Sequence, residues 1–436
     1  MIQSRCNRNS GSLRVLQVIP GVASRYGGPS QAIFRMCQAL EAEGADVLLV
    51  TTDADGRSRL QVPLGQPIMY NGVRAMFFPR QYSEAFKYSN QLARWLRASV
   101  KEFDVAAIHA VFSHSSLAAA RACQHSGVPY IVRPLGSLSG WSMSQKPVRK
   151  RLFWRLGVKQ MLESAAAIHY TSQEEMRDAR VILPNSPAEV IPLGIDCEGA
   201  AGLEASCQAD RKNAGKPSTR AVATDLSLEG HDKLDTCGTS DNPYVLALCR
   251  IHPVKCLDML IDAFLASATL NHNSNWQLII AGDGDPAYLA RLKSLVAARE
   301  AGHRVLFRGW LEGREKDRVI RGAALVALTS RHENFGLAAA EALAFGVPVL
   351  VSKHVSLAEQ IEEAGAGWLS TLDRDAIAGA LRAAMHSEAE RARRGRAARS
   401  LAKKFSWDTI GRRLYTLYAS TATVSDRQAA WSEITR

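Results

Sequence analysis

Residues 325–352 decide the fold, and they read LVALTSRHENFGLAAAEALAFGVPVLVS. The apolar runs 325–330 and 347–352 predict buried strands, and the alanine-rich run 336–345 between them predicts a helix. A strand, a helix and a further strand in this order are typical of a parallel sheet that helices cover on both faces. The stretch therefore predicts an α/β fold with a doubly wound sheet.

Two glutamates in this stretch, Glu333 and Glu341, are candidates for ligand binding. Glu333 lies in the loop after the first strand, where the free backbone N–H groups of 335–337 at the helix start would suit a diphosphate or sugar oxygens. Alone, each glutamate is better explained as a helix-start charge or a solvated helix residue. The alanines around Glu341 favour a buried helix instead, where an unpaired carboxylate would cost several kcal/mol.

The same alternation extends in both directions along the chain. Further strands are predicted at 14–19, 46–52, 105–110, 128–134, 165–172, 189–193, 244–249, 276–282 and 305–309. Two such sheets predict two domains, 1–195 and 243–410, with a cleft near the carboxyl ends of their strands. Residues 196–242 hold few large apolar groups and are interpreted as a partly disordered linker or insertion. Residues 411–436 are predicted to form a helical tail that crosses back to the first domain.

Bulk composition restricts the class of protein. The net charge of +12 favours anionic partners, but the basic residues are scattered apart from 149–159 and 391–404, so a nucleic-acid module is not indicated. No apolar run is long enough for a transmembrane helix, and residues 14–19 fit a first strand better than a signal peptide. No Cys-x-x-Cys pair occurs among the eight cysteines, which favours reduced thiols. We therefore expect a cytoplasmic protein.

The basic segment 145–160 (QKPVRKRLFWRLGVKQ) leaves two interpretations open. It suits an anionic membrane surface, and it suits equally a solvated basic helix that packs its aromatic side chains inward. Peripheral association with the inner face of a membrane is therefore a hypothesis at this stage.

Taken together, several motifs resemble one enzyme family. The Glu-x7-Glu segment closely resembles the donor-binding motif of retaining glycosyltransferase family 4 (glycosyl transferases group 1). The segments 249–258, 190–196 and 405–407 resemble three other motifs of that family. Residues 133–138 and Trp141 resemble the acceptor-side loop of members that build bacterial surface polysaccharides. The resemblance covers most of the chain except roughly 1–12, 197–242 and the tail after 420.

The resemblance implies the GT-B fold, two Rossmann-like domains around a cleft, and a set of site residues. Arg250 and Lys255 would hold the diphosphate, Glu341 the ribose and Glu333 the sugar, while His109 would point into the cleft and support the chemistry. The remaining donor-binding residues would be Gly27, Gly28, Asn334, Phe335, Gly336 and Leu337. Two family glycines are replaced here by Cys249 and Cys256, and a side chain at 256 would reshape the phosphate pocket.

The implied function is transfer of a hexose from a UDP- or GDP-linked sugar, with retention, to a glycan or lipid-linked acceptor. No cofactor or metal is expected, and Asp283-Gly284-Asp285 is better explained as a turn and helix cap than as a metal site. Two alternatives stay open: a nucleotide-sugar epimerase of the same fold, and a non-catalytic nucleotide-sugar-binding subunit. A nicotinamide dehydrogenase is disfavoured because no Gly-x-Gly-x-x-Gly follows either first strand.

Overall fold

The computed structural model describes residues 11–82, 84–145, 147–197, 242–269 and 275–434. Almost all of the expected linker, 196–242, lies outside these residues, as do Cys6, Cys207 and Cys237. Among the described cysteines, Cys37, Cys123, Cys249 and Cys256 are free thiols.

The N-terminal sheet has eight strands in the order β10-β9-β8-β7-β1-β2-β6-β5. Its strands are β1 Arg14–Val18, β2 Asp46–Thr52, β5 Pro67–Tyr70, β6 Val73–Phe78, β7 Val105–His109, β8 Tyr130–Arg133, β9 Ala167–Tyr170 and β10 Ala188–Val190. The short strands β3 (Ala54–Asp55) and β4 (Ser58–Arg59) form a separate ribbon. Every pairing in the large sheet is parallel except that of β5 with β6.

The C-terminal sheet has six strands, all parallel, in the order β13-β12-β11-β14-β15-β16. They are β11 Tyr244–Leu248, β12 Gln277–Ala281, β13 Val305–Gly309, β14 Leu325–Leu328, β15 Val349–Ser352 and β16 Gly367–Ser370. The prediction of two doubly wound parallel sheets is confirmed.

Helices cover both faces of each sheet, as the continuous apolar strands require. In the N-terminal part they are α1 Gly28–Ala42, α2 Asn90–Ser99, α3 His114–Ser126, α4 Gly140–Ser144, α5 Pro147–Phe153, α6 Lys159–Glu163 and α7 Gln173–Arg180. In the C-terminal part they are α8 Leu257–Thr269, α9 Pro286–Ala298, α10 Gly313–Gly322, α11 Leu337–Ala344, α12 Ala358–Glu363, α13 Arg374–His386, α14 Glu388–Ala402 and α15 Trp407–Ile434. No helix in the described ranges is long and apolar enough to cross a membrane.

The last helix, α15, packs on the N-terminal domain. Gly411 lies against Ala39 of α1, where a Cβ would already be in tight contact, and Leu414 and Tyr418 are buried in the core of that domain. The chain leaves the N-terminal domain at Ile195 and returns beside the same point, since the Ile195 N–H donates to the Phe405 carbonyl (2.8 Å).

The β5–β6 hairpin and strand β16 were not predicted from the sequence. The hairpin turns at Asn71-Gly72, both at positive φ, a pair that favours tight turns between antiparallel strands. Strand β16 is only four residues long and begins at Gly367, whose missing side chain permits close approach to the Val349 carbonyl. Strands β5 and β16 are four-residue edge strands, and such strands carry too little hydrophobic pattern to be recognised alone.

Candidate functional site

Two helix starts, one from each domain, face each other across the cleft. Helix α1 follows Gly27 (φ 84°) and helix α11 follows Gly336 (φ 89°), and neither glycine supplies a side-chain cap. A Cβ built on Gly28 would overlap the Leu337 side chain, so the two helix starts are in contact at this point. Helix N-termini carry partial positive charge and free N–H donors. The pair therefore suits a bound anion.

The loop before α11 is supported by the other domain. The Asn334 amide donates to the Thr171 hydroxyl (2.6 Å) at the end of β9, and Gly136, in the loop after β8, lies against the Asn334 side chain. The buried Glu175 carboxylate accepts from the N–H of Gly136 (2.6 Å) and from the N–H and hydroxyl of Thr171 (2.8 and 2.9 Å). One carboxylate thus fixes both N-terminal loops that meet the loop before α11. The sequence did not single out Thr171 and Glu175, because neither lies in a recognised motif.

Lys255 and Glu333 form an ion pair in which both side chains are largely buried. Lys255 follows β11 and Glu333 follows β14, the neighbouring strand of the sheet. Two hydrogen bonds fix the backbone of Glu333. Its N–H donates to the His354 backbone carbonyl (3.2 Å), and its own carbonyl accepts from the Ser356 hydroxyl (3.0 Å). The structure therefore brings two of the sequence-predicted site residues into direct contact.

Arg250 lies close to this pair but is exposed at the end of β11. Burial raises the pKa of the Cys249 thiol to about 11, and the positive charges of Lys255 and Arg250 offset part of this rise. Cys249 therefore stays a thiol at neutral pH, and the local positive charge comes from the two basic side chains.

Glu341 has a partner that the sequence did not indicate. Its carboxylate accepts from the Lys316 ammonium (2.8 Å), which α10 supplies, and both side chains are partly buried. An isolated solvated glutamate is therefore the wrong interpretation of this residue. The pairing arises from the packing of α10 beside α11, which no local pattern reveals.

Cys256 occupies the position of a family glycine in a conformation that favours glycine. Its φ is +49°, in the left-handed region, and its side chain is buried with Sγ near the carbonyls of Pro253 and Val254. Left-handed backbone costs a non-glycine residue roughly 1–2 kcal/mol. Burial also raises the pKa of the thiol. The cysteine therefore adds strain to the loop that carries Lys255.

Asp283-Gly284-Asp285 forms a turn and a helix cap. The Asp283 carboxylate accepts from the Gly284 N–H (2.7 Å), and that of Asp285 accepts from the first N–H groups of α9. No group of three metal-ligating side chains occurs in the part of the chain that the structure describes.

The expected position of His109 in an open cleft is corrected by the structure. His109 is buried, and its Nε2 lies 2.6 Å from Oε1 of Gln17. Side chains alternate along β7, so His109 shares the face of Val105 and Ala107, which pack under α1 and α15. Burial, with smaller contributions from Arg133 and His169, lowers the pKa of His109 well below its ordinary value. The ring is therefore a neutral imidazole, and its amide oxygen partner fixes Nε2 as the protonated nitrogen.

A buried polar row continues from His109 across neighbouring strands. Arg133 on β8 and His169 on β9 are both buried, and burial lowers the pKa of Arg133 to about 10 and that of His169 to about 3. On the other side, Gln17 reaches the Tyr418 hydroxyl of α15 (3.5 Å). Within the described chain, Nε and Nη2 of Arg133 have no hydrogen-bond partner. The row lies at or near the carboxyl ends of the strands.

Comparison with known proteins identifies both halves of the chain. Residues 27–194 match the family described as glycosyl transferase 4-like domain, and residues 238–401 match glycosyl transferases group 1. An uncharacterized glycosyltransferase of Methanocaldococcus jannaschii is 29% identical over 201 residues, which are 44% of this chain and 50% of the relative. The D-inositol 3-phosphate glycosyltransferase of Jonesia denitrificans is 27% identical over 61% of this chain and 59% of its own length. The chain thus spans about half to three-fifths of these curated relatives.

The fold resembles that of a solved glycosyltransferase over nearly its whole length. The crystal structure of HepE from Anabaena in complex with UDP and glucose superposes with a TM-score of 0.69 at 18% identity, covering 94% of this chain and all of HepE. The two domains therefore have the GT-B arrangement.

Proposed function

The chain belongs to the GT-B glycosyltransferases of the glycosyl transferases group 1 type, and we propose that it transfers a hexose from a nucleotide-diphosphate sugar to an acceptor hydroxyl with retention of configuration. The Lys255–Glu333 ion pair beside the two facing helix starts is the observation that carries the proposal. Helix starts and cations on one side of a cleft are suited to a diphosphate, and a carboxylate next to them is suited to sugar hydroxyls.

The ion pair suggests how donor binding prepares the site. When the donor diphosphate reaches the helix starts, the Lys255 ammonium exchanges the Glu333 carboxylate for a phosphate oxygen. Glu333 is then free to accept hydrogen bonds from the sugar, while the exposed Arg250 turns towards the phosphates. Glu341, held by Lys316, is proposed to accept from the ribose hydroxyls.

Transfer then breaks the bond between the anomeric carbon and the β-phosphate oxygen. The acceptor oxygen forms its bond to the same face of the sugar, and the acceptor proton passes to the leaving phosphate. Lys255, Arg250 and the N–H groups at 335–337 stabilise the charge that develops on that phosphate. His109, buried and hydrogen-bonded to Gln17, does not contact the donor in this scheme. This scheme uses protein groups alone for the positive charge, so we propose that no metal or cofactor takes part.

The relatives and neighbours support a nucleotide sugar but not one base or sugar. HepE was crystallised with UDP and glucose, whereas a mycobacterial relative is described as GDP-mannose-dependent. We therefore propose a UDP- or GDP-linked hexose as donor, and a glycan or lipid-linked acceptor used at the cytoplasmic face of a membrane in polysaccharide synthesis.

A donor screen by thermal unfolding tests the proposal. A matching nucleotide sugar at about a hundred times its Kd stabilises the folded protein by about 2.7 kcal/mol, which raises the Tm by a few degrees. UDP-, GDP- and ADP-sugars are compared, and the anomeric configuration of the product is then read by NMR. Release of an epimer without acceptor would favour the epimerase, and binding without turnover over a broad set of acceptors would favour the non-catalytic subunit.

A further inference from the structure

The segment 147–163 packs firmly through one face. Phe153 stacks on Phe86 (ring centroids 4.8 Å apart), and Val158, Met161 and Leu162 are buried in the N-terminal core. The aromatic side chains therefore point inward, as one of the two interpretations of this segment expected. That interpretation leaves the opposite face unexplained.

The opposite face carries a row of exposed aliphatic side chains. Val148, Leu152 and Leu156 are 79%, 56% and 55% exposed. Val148 and Leu152 lie one turn apart on α5, and Leu156 lies in the π-helical turn Trp154–Val158 that follows α5. Scattered exposed apolar residues are ordinary, but three large exposed aliphatic side chains within nine residues are consistent with a contact surface.

Exposed cations lie along the same segment. Arg151 is on α5, Arg155 is in the π-helical turn, and Lys159 begins α6 after the kink at Gly157. The structure pairs Lys159 with Glu163 (3.6 Å), and it gives Arg151 and Arg155 no ion pair among the residues it describes. No Asp or Glu occurs between 141 and 162. The face is thus both apolar and strongly positive, and a partner that is both apolar and anionic would match it.

We propose that this face, formed by Val148, Arg151, Leu152, Arg155, Leu156 and Lys159, docks the enzyme on an anionic phospholipid bilayer. The aliphatic side chains enter the boundary between headgroups and acyl chains, and the cations contact the phosphates. A second copy of this chain fits less well, because a symmetric contact would bring the cationic rows of two copies together. The proposal concerns the N-terminal domain alone and does not depend on the donor or on transfer.

The position of the face gives it a functional consequence. Lys150 donates to the carbonyl and hydroxyl of Ser142 in α4 (2.5 and 3.0 Å), and the loop before α4 contains Gly136, which lies against Asn334 in the loop before α11. The segment that carries the face is therefore tied through α4 to a loop at the cleft, and the proposal is that a lipid-linked acceptor enters beside that loop.

Vesicle co-sedimentation of the 436-residue chain tests the proposal. The protein is expected to sediment with phosphatidylcholine vesicles containing about one-third phosphatidylglycerol, and not with pure phosphatidylcholine. R151Q/R155Q/K159Q is expected to weaken binding on the order of a hundredfold, and L152Q/L156Q at least about tenfold. Failure of the protein to bind, equal binding to both vesicle types, or unchanged binding by both variants would overturn it.

Matched controls separate the face from general charge and hydrophobicity. R396Q/K403Q/K404Q removes three exposed cations from the C-terminal domain, and M69S/V181S removes two exposed apolar side chains from elsewhere on the N-terminal domain. Both are expected to bind vesicles like the unchanged protein, and an unchanged Tm shows that each variant is folded. If L152Q/L156Q instead converts a dimer into a monomer in sedimentation velocity, the occupant is a second copy and the bilayer proposal is wrong. No donor is present in these assays, so a failed transferase assignment leaves their result intact.

Discussion

Lys255 and Glu333, 78 positions apart in the sequence, form an ion pair that joins the ends of two neighbouring strands. The pair lies beside Gly336, where helix α11 begins without a side-chain cap. A ligand whose phosphate binds the Lys255 ammonium must therefore displace the Glu333 carboxylate. Replacing Lys255 and replacing Glu333 are expected to have different effects on ligand binding.

Lys255→Met is expected to lower both donor affinity and transfer, the latter on the order of a hundredfold or more, because it removes a cation from the developing phosphate charge. Glu333→Gln is expected to lose transfer to a similar extent while it binds the free nucleoside diphosphate at least as tightly, since Lys255 is no longer neutralised. Calorimetry with the diphosphate and steady-state kinetics measure the two effects. Lys293→Met, an exposed position on α9, is the control. Equal loss of diphosphate binding in both variants would contradict the exchange.

Gly28→Ala is expected to reduce kcat/KM by about tenfold or more, because its Cβ would overlap Leu337 and hold the two helix starts apart. Adding Leu337→Ala removes the overlap and is expected to restore part of the activity. Gly302→Ala is a suitable control, since a Cβ there meets nothing within 4 Å. A double variant no better than Gly28→Ala alone would argue against a steric cause.

Cys256→Gly is expected to be about 1 kcal/mol more stable than Cys256→Ala, because only glycine adopts the left-handed backbone at φ +49° without cost. Urea unfolding measures the difference. Cys249, whose φ is not positive, provides the matched comparison: there Gly is expected to be less stable than Ala by roughly 0.5–1 kcal/mol. If the Gly variant were more stable than the Ala variant at both positions, or less stable at both, backbone strain would not be the cause.

Stability is expected to decrease as the pH falls below about 6.5. Burial lowers the pKa of His169 to about 3, so below 6.5 the unfolded chain binds a proton that the folded chain does not. This histidine then removes about 1.4 kcal/mol of unfolding free energy per pH unit, or roughly 2 kcal/mol between pH 6.5 and 5. Urea unfolding is therefore expected to show that the unfolding free energy decreases less between pH 7 and pH 5 in His169→Gln than in the unchanged protein. His303→Gln, at an exposed position, is expected to leave the loss as it is.

The sequence predicted the features that short stretches encode by themselves. The apolar runs around 14–18 and 325–328 identified buried parallel strands because such strands are continuously hydrophobic. The positions of Lys255 and Glu333 could be predicted from their motifs, but their contact could not, since it depends on the pairing of β11 with β14.

Tertiary packing decided the rest of the site. A strand-end histidine can face either side of its sheet, and the resemblance placed His109 in the cleft, whereas the alternation along β7 places it beside Gln17. Thr171 and Glu175 connect the two domains through Asn334. Single polar residues at a strand end and in the first turn of a helix have many uses, so nothing in the local sequence singles them out.

The two domains are joined at adjacent points, because the chain leaves the first domain at Ile195 and re-enters it at Phe405, hydrogen-bonded side by side. Trp407 covers this junction by packing on Gly194. Two chain segments hydrogen-bonded to each other are expected to act as a single hinge, about which one domain can rotate but not slide. A rotation about this hinge is expected to separate the helix starts of α1 and α11 and to return them to the same register.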